Sequence, residues 1–169
     1  MIYRLIAAAA VGLVATVALS AAGAPAAQVA NRANALAAQI ASPAKPHAGP
    51  LPPLPRVSFE PPRSMAVVQQ VYEFAARHPE VLHYVPCYCG CERVGHTANH
   101  SCFVKSRAAD GRVTEWDVHG IGCAVCIDVA RDAMALFNSG AKPLAIRTAI
   151  DKKYASYFPS STPTPRPAR

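Results

Sequence analysis

Residues 86–91 of the chain read Pro86-Cys87-Tyr88-Cys89-Gly90-Cys91. This hexapeptide places three thiols on alternate residues and includes a glycine. The remaining cysteines follow downstream at Cys102, Cys123 and Cys126. All six cysteines of the chain therefore lie within forty residues, and we expect the chemistry of the protein to lie in this region.

Disulfides and metal binding are the two alternatives for these six sulfurs. Six cysteines in a small exported domain commonly form three disulfides. The spacing argues against complete pairing, because a bridge between alternate residues of the hexapeptide would close a tight and strained ring. A metal explains the spacing better, since sulfurs around one tetrahedral ion lie roughly 3.7 Å apart. Gly90 would let the backbone bend enough to bring neighbouring thiols together.

The later cysteines supply a second half of this predicted site. Cys123 and Cys126 are three residues apart at a predicted helix start, where two sulfurs can reach one ion. The N-terminus of a helix also lowers the pKa of a thiol and favours the thiolate. With Cys102 between the two halves, the pattern predicts a thiolate cluster that uses all six cysteines.

Two histidines are candidate additional ligands. His96 lies between Cys91 and Cys102, and His119 lies four residues before Cys123. Neutral imidazole would complete a thiolate site; the alternative is that these loop histidines contact only solvent or backbone carbonyls. Thiolate-rich sites select Zn(II), Cu(I) or iron–sulfur clusters. For an exported chain we expect Cu(I) or Zn(II), and the sequence does not choose between them.

Residues 1–27 have the pattern of a signal peptide. Arg4 precedes an apolar run from Leu5 to Leu19, which is followed by small residues. An uncleaved membrane anchor is the alternative. Both interpretations predict that the remaining chain is exported to the periplasm, the cell envelope or the extracellular space. Contact with the membrane is expected only through this segment, if it stays uncleaved.

Composition divides the rest of the chain into three parts. Residues 28–63 are rich in Ala and Pro, which predicts an extended, semi-rigid linker. Residues 159–169 are rich in Pro, Ser and Thr and are predicted to be disordered. The Cys-rich helical domain is therefore expected to span residues 64–158.

Helical periodicity dominates this predicted domain. Apolar spacing and proline positions predict helices that begin near Ser64, Pro79, Gly120 and Pro143. Asp110-Gly111 is typical of a hairpin turn, but its flanking segments are short, so a hairpin and a plain loop remain alternatives. The predicted fold is mainly α, a small domain of three to four helices with a long irregular Cys-rich loop.

Charge and motifs exclude several functional classes. The chain has a net charge of +7, but residues 64–158 contain ten Lys/Arg and nine Asp/Glu, a net of +1. No nucleic-acid partner is expected, because the domain offers no broad basic face. A Ser/His/Asp triad, a phosphate loop and a catalytic carboxylate pair are also missing from the sequence, so we do not expect an enzyme of those kinds.

Several short motifs resemble the PCYCGC-motif family of exported bacterial proteins. They are the hexapeptide, Gly95-His96, Cys102-Phe103-Val104, Asp110-Gly111, and His119 with Cys123 and Cys126. The resemblance covers about Val71 to Tyr154. It implies an exported, cysteine-rich bacterial domain and no mechanism, because the family has no established activity. Many members resemble lipoproteins, whereas in this chain no cysteine directly follows the apolar run, where a lipid would be attached.

The sequence favours an exported thiolate metal-binding protein that carries, buffers or senses Cu(I) or Zn(II). An envelope protein that handles the same metal is a candidate partner. One alternative is a thiol–disulfide redox protein that uses Cys123 and Cys126, although the sequence lacks the strand–turn–helix context of a thioredoxin-like fold. The other alternative is a disulfide-stapled binding module without chemistry.

Overall fold

The computed structural model of the protein describes residues 42–168 and the single position Gln28. The predicted signal peptide or anchor, residues 1–27, lies outside the described residues, as do residues 29–41 of the predicted linker. No described helix is both long enough and apolar enough to cross a membrane.

The described residues form five α-helices, two 3-10 helices and one two-stranded sheet. The α-helices are α1 (Met65–Arg77), α2 (Pro79–Leu82), α3 (His119–Gly122), α4 (Ala124–Asn138) and α5 (Pro143–Tyr154). Helix α4 packs against both α1 and α5. The architecture is therefore mainly α, as the sequence predicts.

Helix α1 carries a buried stripe at helical spacing. Val68, Val71, Tyr72 and Ala75 are fully buried or nearly so, and positions three and four residues apart share one face of a helix. The hydroxyl of Tyr72 donates a hydrogen bond of 2.5 Å to the backbone carbonyl of Asp117. This contact ties α1 to the segment that leads into α3.

The glycine-rich segment before α4 differs from the prediction of one continuous helix. Residues His119–Gly122 form the separate short helix α3. Cys123 is extended and serves as the N-cap of α4, where its sulfur accepts a hydrogen bond from the backbone N–H of Cys126. The capping residue must leave the helical conformation, and the helix is therefore interrupted at Cys123.

The segment around Asp110-Gly111 forms a β-hairpin, one of the two alternatives, hairpin or plain loop, that the sequence left open. Strand β1 (Val104–Arg107) pairs antiparallel with β2 (Val113–Trp116), and Val104 lies opposite Trp116. Gly111 has a φ of +94°, a conformation that favours glycine in a tight turn. The hairpin packs on the core through Val113 and Trp116, which are both buried.

The predicted irregular loop contains local structure before the hairpin. Two 3-10 helices span Cys91–Val94 and Asn99–Cys102. Helices of four residues are too short to leave a periodic apolar pattern in a sequence. The long Cys-rich loop of the prediction is therefore a series of tight turns followed by a hairpin.

The proline-rich segment before α1 packs on the domain where the structure describes it. The side chain of His47 is buried, and its Nδ1 accepts a hydrogen bond of 2.9 Å from the backbone N–H of Val113. The indole N–H of Trp116 donates to the carbonyl of Pro52 at 3.2 Å. The described part of the predicted linker therefore packs on the hairpin, where the His47 side chain and the Pro52 carbonyl accept hydrogen bonds from Val113 and Trp116.

The tail also differs from the disordered segment that its composition predicts. Thr162 is buried, and its backbone N–H donates to the carbonyl of Cys87 at 2.9 Å. Arg147 of α5 donates to the carbonyls of Thr164 and Pro165 at 3.4 and 3.2 Å. The folded unit therefore extends beyond the predicted limits of 64–158 at both ends.

Candidate metal centre

The centre begins where the chain leaves α2 and enters the hexapeptide. The sulfur of Cys87 lies 3.4 Å from that of Cys89 and 3.3 Å from that of Cys126. The sulfurs of Cys89 and Cys126 are 3.5 Å apart. These separations are near the 3.7 Å or so expected between thiolates around one tetrahedral ion. All six cysteines are free thiols.

A bend at Gly90 places the third thiol of the hexapeptide elsewhere. Gly90 has a φ of +80°, in the left-handed region that favours glycine. The chain then enters the 3-10 helix Cys91–Val94, and the Cys91 sulfur lies 3.7 Å from that of Cys102. The bend that the sequence predicts at Gly90 therefore directs alternate thiols to different neighbours.

The start of α4 supplies one group of four donors. The ligand atoms of Cys89, His119, Cys123 and Cys126 all lie within 4.8 Å of one another. The Nε2 atom of His119 is 3.4 Å from the Cys89 sulfur. Three of these residues are partly exposed and only Cys126 is buried. We call these four residues the outer group.

Three buried thiols form another group. The sulfurs of Cys87, Cys91 and Cys102 lie within 4.8 Å of one another, and all three residues are buried. The Nδ1 atom of His96 approaches the Cys102 sulfur at 3.5 Å. We call Cys87, Cys91 and Cys102 the inner group. The structure thus brings all eight predicted site residues into one connected cluster.

The thiols of this cluster differ in acidity because they hydrogen-bond to one another. Hydrogen bonds from Cys102 and then Cys126 lower the pKa of Cys87 to about 4. The pKa of Cys89 is also lowered, by hydrogen bonds from Cys102, Cys123 and Cys126. These two sulfurs are the ones that the cluster favours as thiolates.

The other four thiols have raised pKa values. The hydrogen bond to Cys102 is the largest cause for Cys126. For Cys91, the bond from Cys102 lowers the pKa, but Cys87, Cys89 and burial outweigh it. A bond from Cys126 likewise lowers the pKa values of Cys102 and Cys123, and neighbouring thiols and burial again outweigh it. The cluster therefore favours the thiolate at Cys87 and Cys89 and the neutral thiol at the other four cysteines.

Asp117 is a site residue that the sequence pattern did not single out. Its Oδ1 accepts a hydrogen bond of 2.8 Å from the backbone N–H of His119, and its Oδ2 lies 3.4 Å from Nε2 of His96. A carboxylate in this position orients a ligating imidazole. Its only sequence signal is an acidic residue two positions before a histidine, which is common in turns.

Two further residues hold the backbone of the cluster. The side-chain amide of the fully buried Asn99 donates to the carbonyl of Cys126 at 3.1 Å. The hydroxyl of Thr162 accepts a hydrogen bond of 2.8 Å from the backbone N–H of Cys87. Neither residue has a sequence signal, because each contact joins segments that are far apart in the chain.

The fold and the cluster define a small, mainly helical, cysteine-rich domain whose thiols and imidazole could hold a metal ion. A family model described as "Protein of unknown function with PCYCGC motif" matches residues 57–167, and the chain belongs to that family. None of the curated proteins or solved structures compared with the chain matches it.

Proposed function

We propose that this protein is an exported thiolate metal-binding protein that carries, buffers or senses Cu(I) or Zn(II). The observation that supports it best is the sulfur geometry, with contacts of 3.3 to 3.7 Å between free thiols. Thiolates favour these soft or borderline ions over Mg²⁺ and Ca²⁺. The export part of the proposal rests on the sequence of residues 1–27 alone.

The exposure of the ligands supports a role in metal exchange. Cys89, His119 and Cys123 are partly exposed, whereas the inner group is buried. A partner's ligands can replace protein ligands one at a time only where the ion is reachable from solvent. An envelope protein that handles the same metal remains our proposed partner for this exchange.

A thiol–disulfide redox protein is the second candidate. Cys123 caps α4 and Cys126 lies in its first turn, as the redox alternative requires. The pKa of Cys123 is nevertheless raised, because Cys89 and burial outweigh the lowering by Cys126. A nucleophilic thiol needs the opposite shift, and we therefore place the redox function second.

Metal analysis of the full chain, purified anaerobically under reducing conditions, tests the proposed function. We expect a near-integer content of Cu(I) or Zn(II) after loading. Cys89→Ser combined with Cys123→Ser should lower that content without loss of helical circular dichroism. Ser101→Ala, a change of similar size beside Cys102, is the control and should bind as the unmodified chain does.

Thiol counting by non-reducing mass spectrometry separates the alternatives. A chain that binds neither ion and holds its six cysteines in three disulfides would be a stapled module, and the proposal would be wrong. Catalytic reduction of a model disulfide that disappears in Cys123→Ala would favour the redox function instead.

A further inference from the structure

The number of donors in the cluster exceeds what one ion can use. Six thiols and two imidazoles make eight donors, whereas a zinc site takes four in tetrahedral geometry. The outer group already contains three sulfurs and one imidazole within 4.8 Å. One ion bound there leaves the three inner thiols without a metal.

His96 lies beside the inner group and contacts one of its three thiols. Its Nε2 lies 3.4 Å from the Asp117 carboxylate, and its Nδ1 lies 3.5 Å from the Cys102 sulfur. If Nε2 carries the ring proton and faces the Asp117 carboxylate, the lone pair of Nδ1 is left toward the Cys102 sulfur. His96 therefore adds an imidazole beside the inner group through Cys102, although it does not lie within 4.8 Å of all three sulfurs as His119 does in the outer group.

The two sets of donors are direct neighbours. Cys87 of the inner group lies 3.3 Å from Cys126 and 3.4 Å from Cys89 of the outer group, measured between sulfurs. The rings of His96 and His119 are 5.3 Å apart, and Asp117 contacts both residues. One carboxylate thus contacts the imidazole of His96 and the backbone N–H of His119.

Charge also favours a second ion. If all six thiols ionise to bind metal, a single dication would leave four negative charges without a compensating ion, and uncompensated buried charge is costly. A second dication would halve this uncompensated negative charge, from four to two.

We infer that the cluster is a dinuclear centre that binds two Zn(II) ions side by side. Cys89, Cys123, Cys126 and His119 hold the outer ion, and Cys87, Cys91, Cys102 and His96 hold the inner ion. This inference rests on the proposed metal-binding function and adds the stoichiometry, the ligand assignment and the choice of ion. The outer ion should exchange faster, because three of its ligands are partly exposed.

Zn(II) titration of the reduced full chain, followed by native mass spectrometry, tests this inference. We expect two Zn(II) per chain, removed by a chelator in one fast and one slow step. Cys123→Ser should abolish the fast step and Cys91→Ser the slow step, each leaving one ion. His96→Gln should weaken the slow site alone, and His78→Gln, outside the cluster, should weaken neither.

The outcomes separate the inference from the proposed function. One Zn(II) per chain at saturation would overturn the dinuclear centre but leave the metal-binding function intact. Binding of Cu(I) without Zn(II) would have the same consequence. A chain that binds neither ion would overturn both. The stoichiometry of the unmodified chain decides the question even if a cysteine variant fails to fold.

Discussion

Gly120 shows how closely single residues are packed beside the metal centre. A Cβ atom at this position would lie 2.5 Å from Cδ1 of Phe103 and 2.6 Å from the carbonyl oxygen of Cys102. Phe103 is fully buried and so has no free space to move into. Gly122, two residues later in α3, would instead meet only the ring of Phe59 at 3.3 Å.

Gly120→Ala should therefore destabilise the fold, by about 1–3 kcal/mol from overpacking. Gly122→Ala is the matched control, because the exposed Phe59 can shift and alanine favours a helix. Urea denaturation of both reduced, metal-free variants measures the difference. Equal stability of the two variants would contradict the packing at Gly120.

At the scale of elements, the tail stabilises the hexapeptide. Thr162 pairs with Cys87 through two hydrogen bonds, one from its own backbone N–H and one accepted by its hydroxyl. Arg147 holds the following residues through the carbonyls of Thr164 and Pro165. The tail is thus part of the scaffold that positions the first thiol.

Thr162→Val should leave the backbone N–H of the buried Cys87 without its acceptor. An unpaired buried donor costs about 1–3 kcal/mol, and we expect a loss of that size in the free energy of unfolding. Thr148→Val is the control, since Thr148 is exposed and its hydroxyl donates only to the carbonyl of Leu144 within α5. A lower urea midpoint in the Thr148 variant than in the Thr162 variant would argue against this role.

At the scale of the whole molecule, folding sets the protonation of the cluster. The pKa of Cys87 is lowered to about 4 and that of Cys89 is lowered as well. A lowered pKa stabilises the fold fully above the pKa of the unfolded chain, about 8.5 for a thiol. For Cys87, that stabilisation decreases as the pH falls and is lost below about 4.

Zn(II) binding at pH 7 should release about four protons per chain, one from each thiol with a raised pKa. The apparent affinity should therefore rise with pH. Isothermal titration calorimetry in buffers of different ionisation enthalpy counts the protons. Release of about six protons, as expected for independent thiols, would show that folding does not pre-ionise Cys87 and Cys89.

Local sequence signals were sufficient to predict much of the fold. Helices α1 and α5 begin near the predicted residues, because their apolar spacing and prolines act within one or two turns. The Asp110-Gly111 dipeptide likewise marks a hairpin that the structure contains. The dense cysteine pattern identified the region of the candidate site for the same local reason.

Only the tertiary structure divides the hexapeptide between two groups of donors. Cys89 lies with Cys123 and Cys126, whereas Cys87 and Cys91 lie with Cys102. No rule of sequence spacing predicts this division of the three thiols. The contacts of Asp117, Asn99 and Thr162 depend on segments that meet only after folding. The sequence by itself determined which donors are available, and long-range packing decided which of them are neighbours and how deeply each is buried.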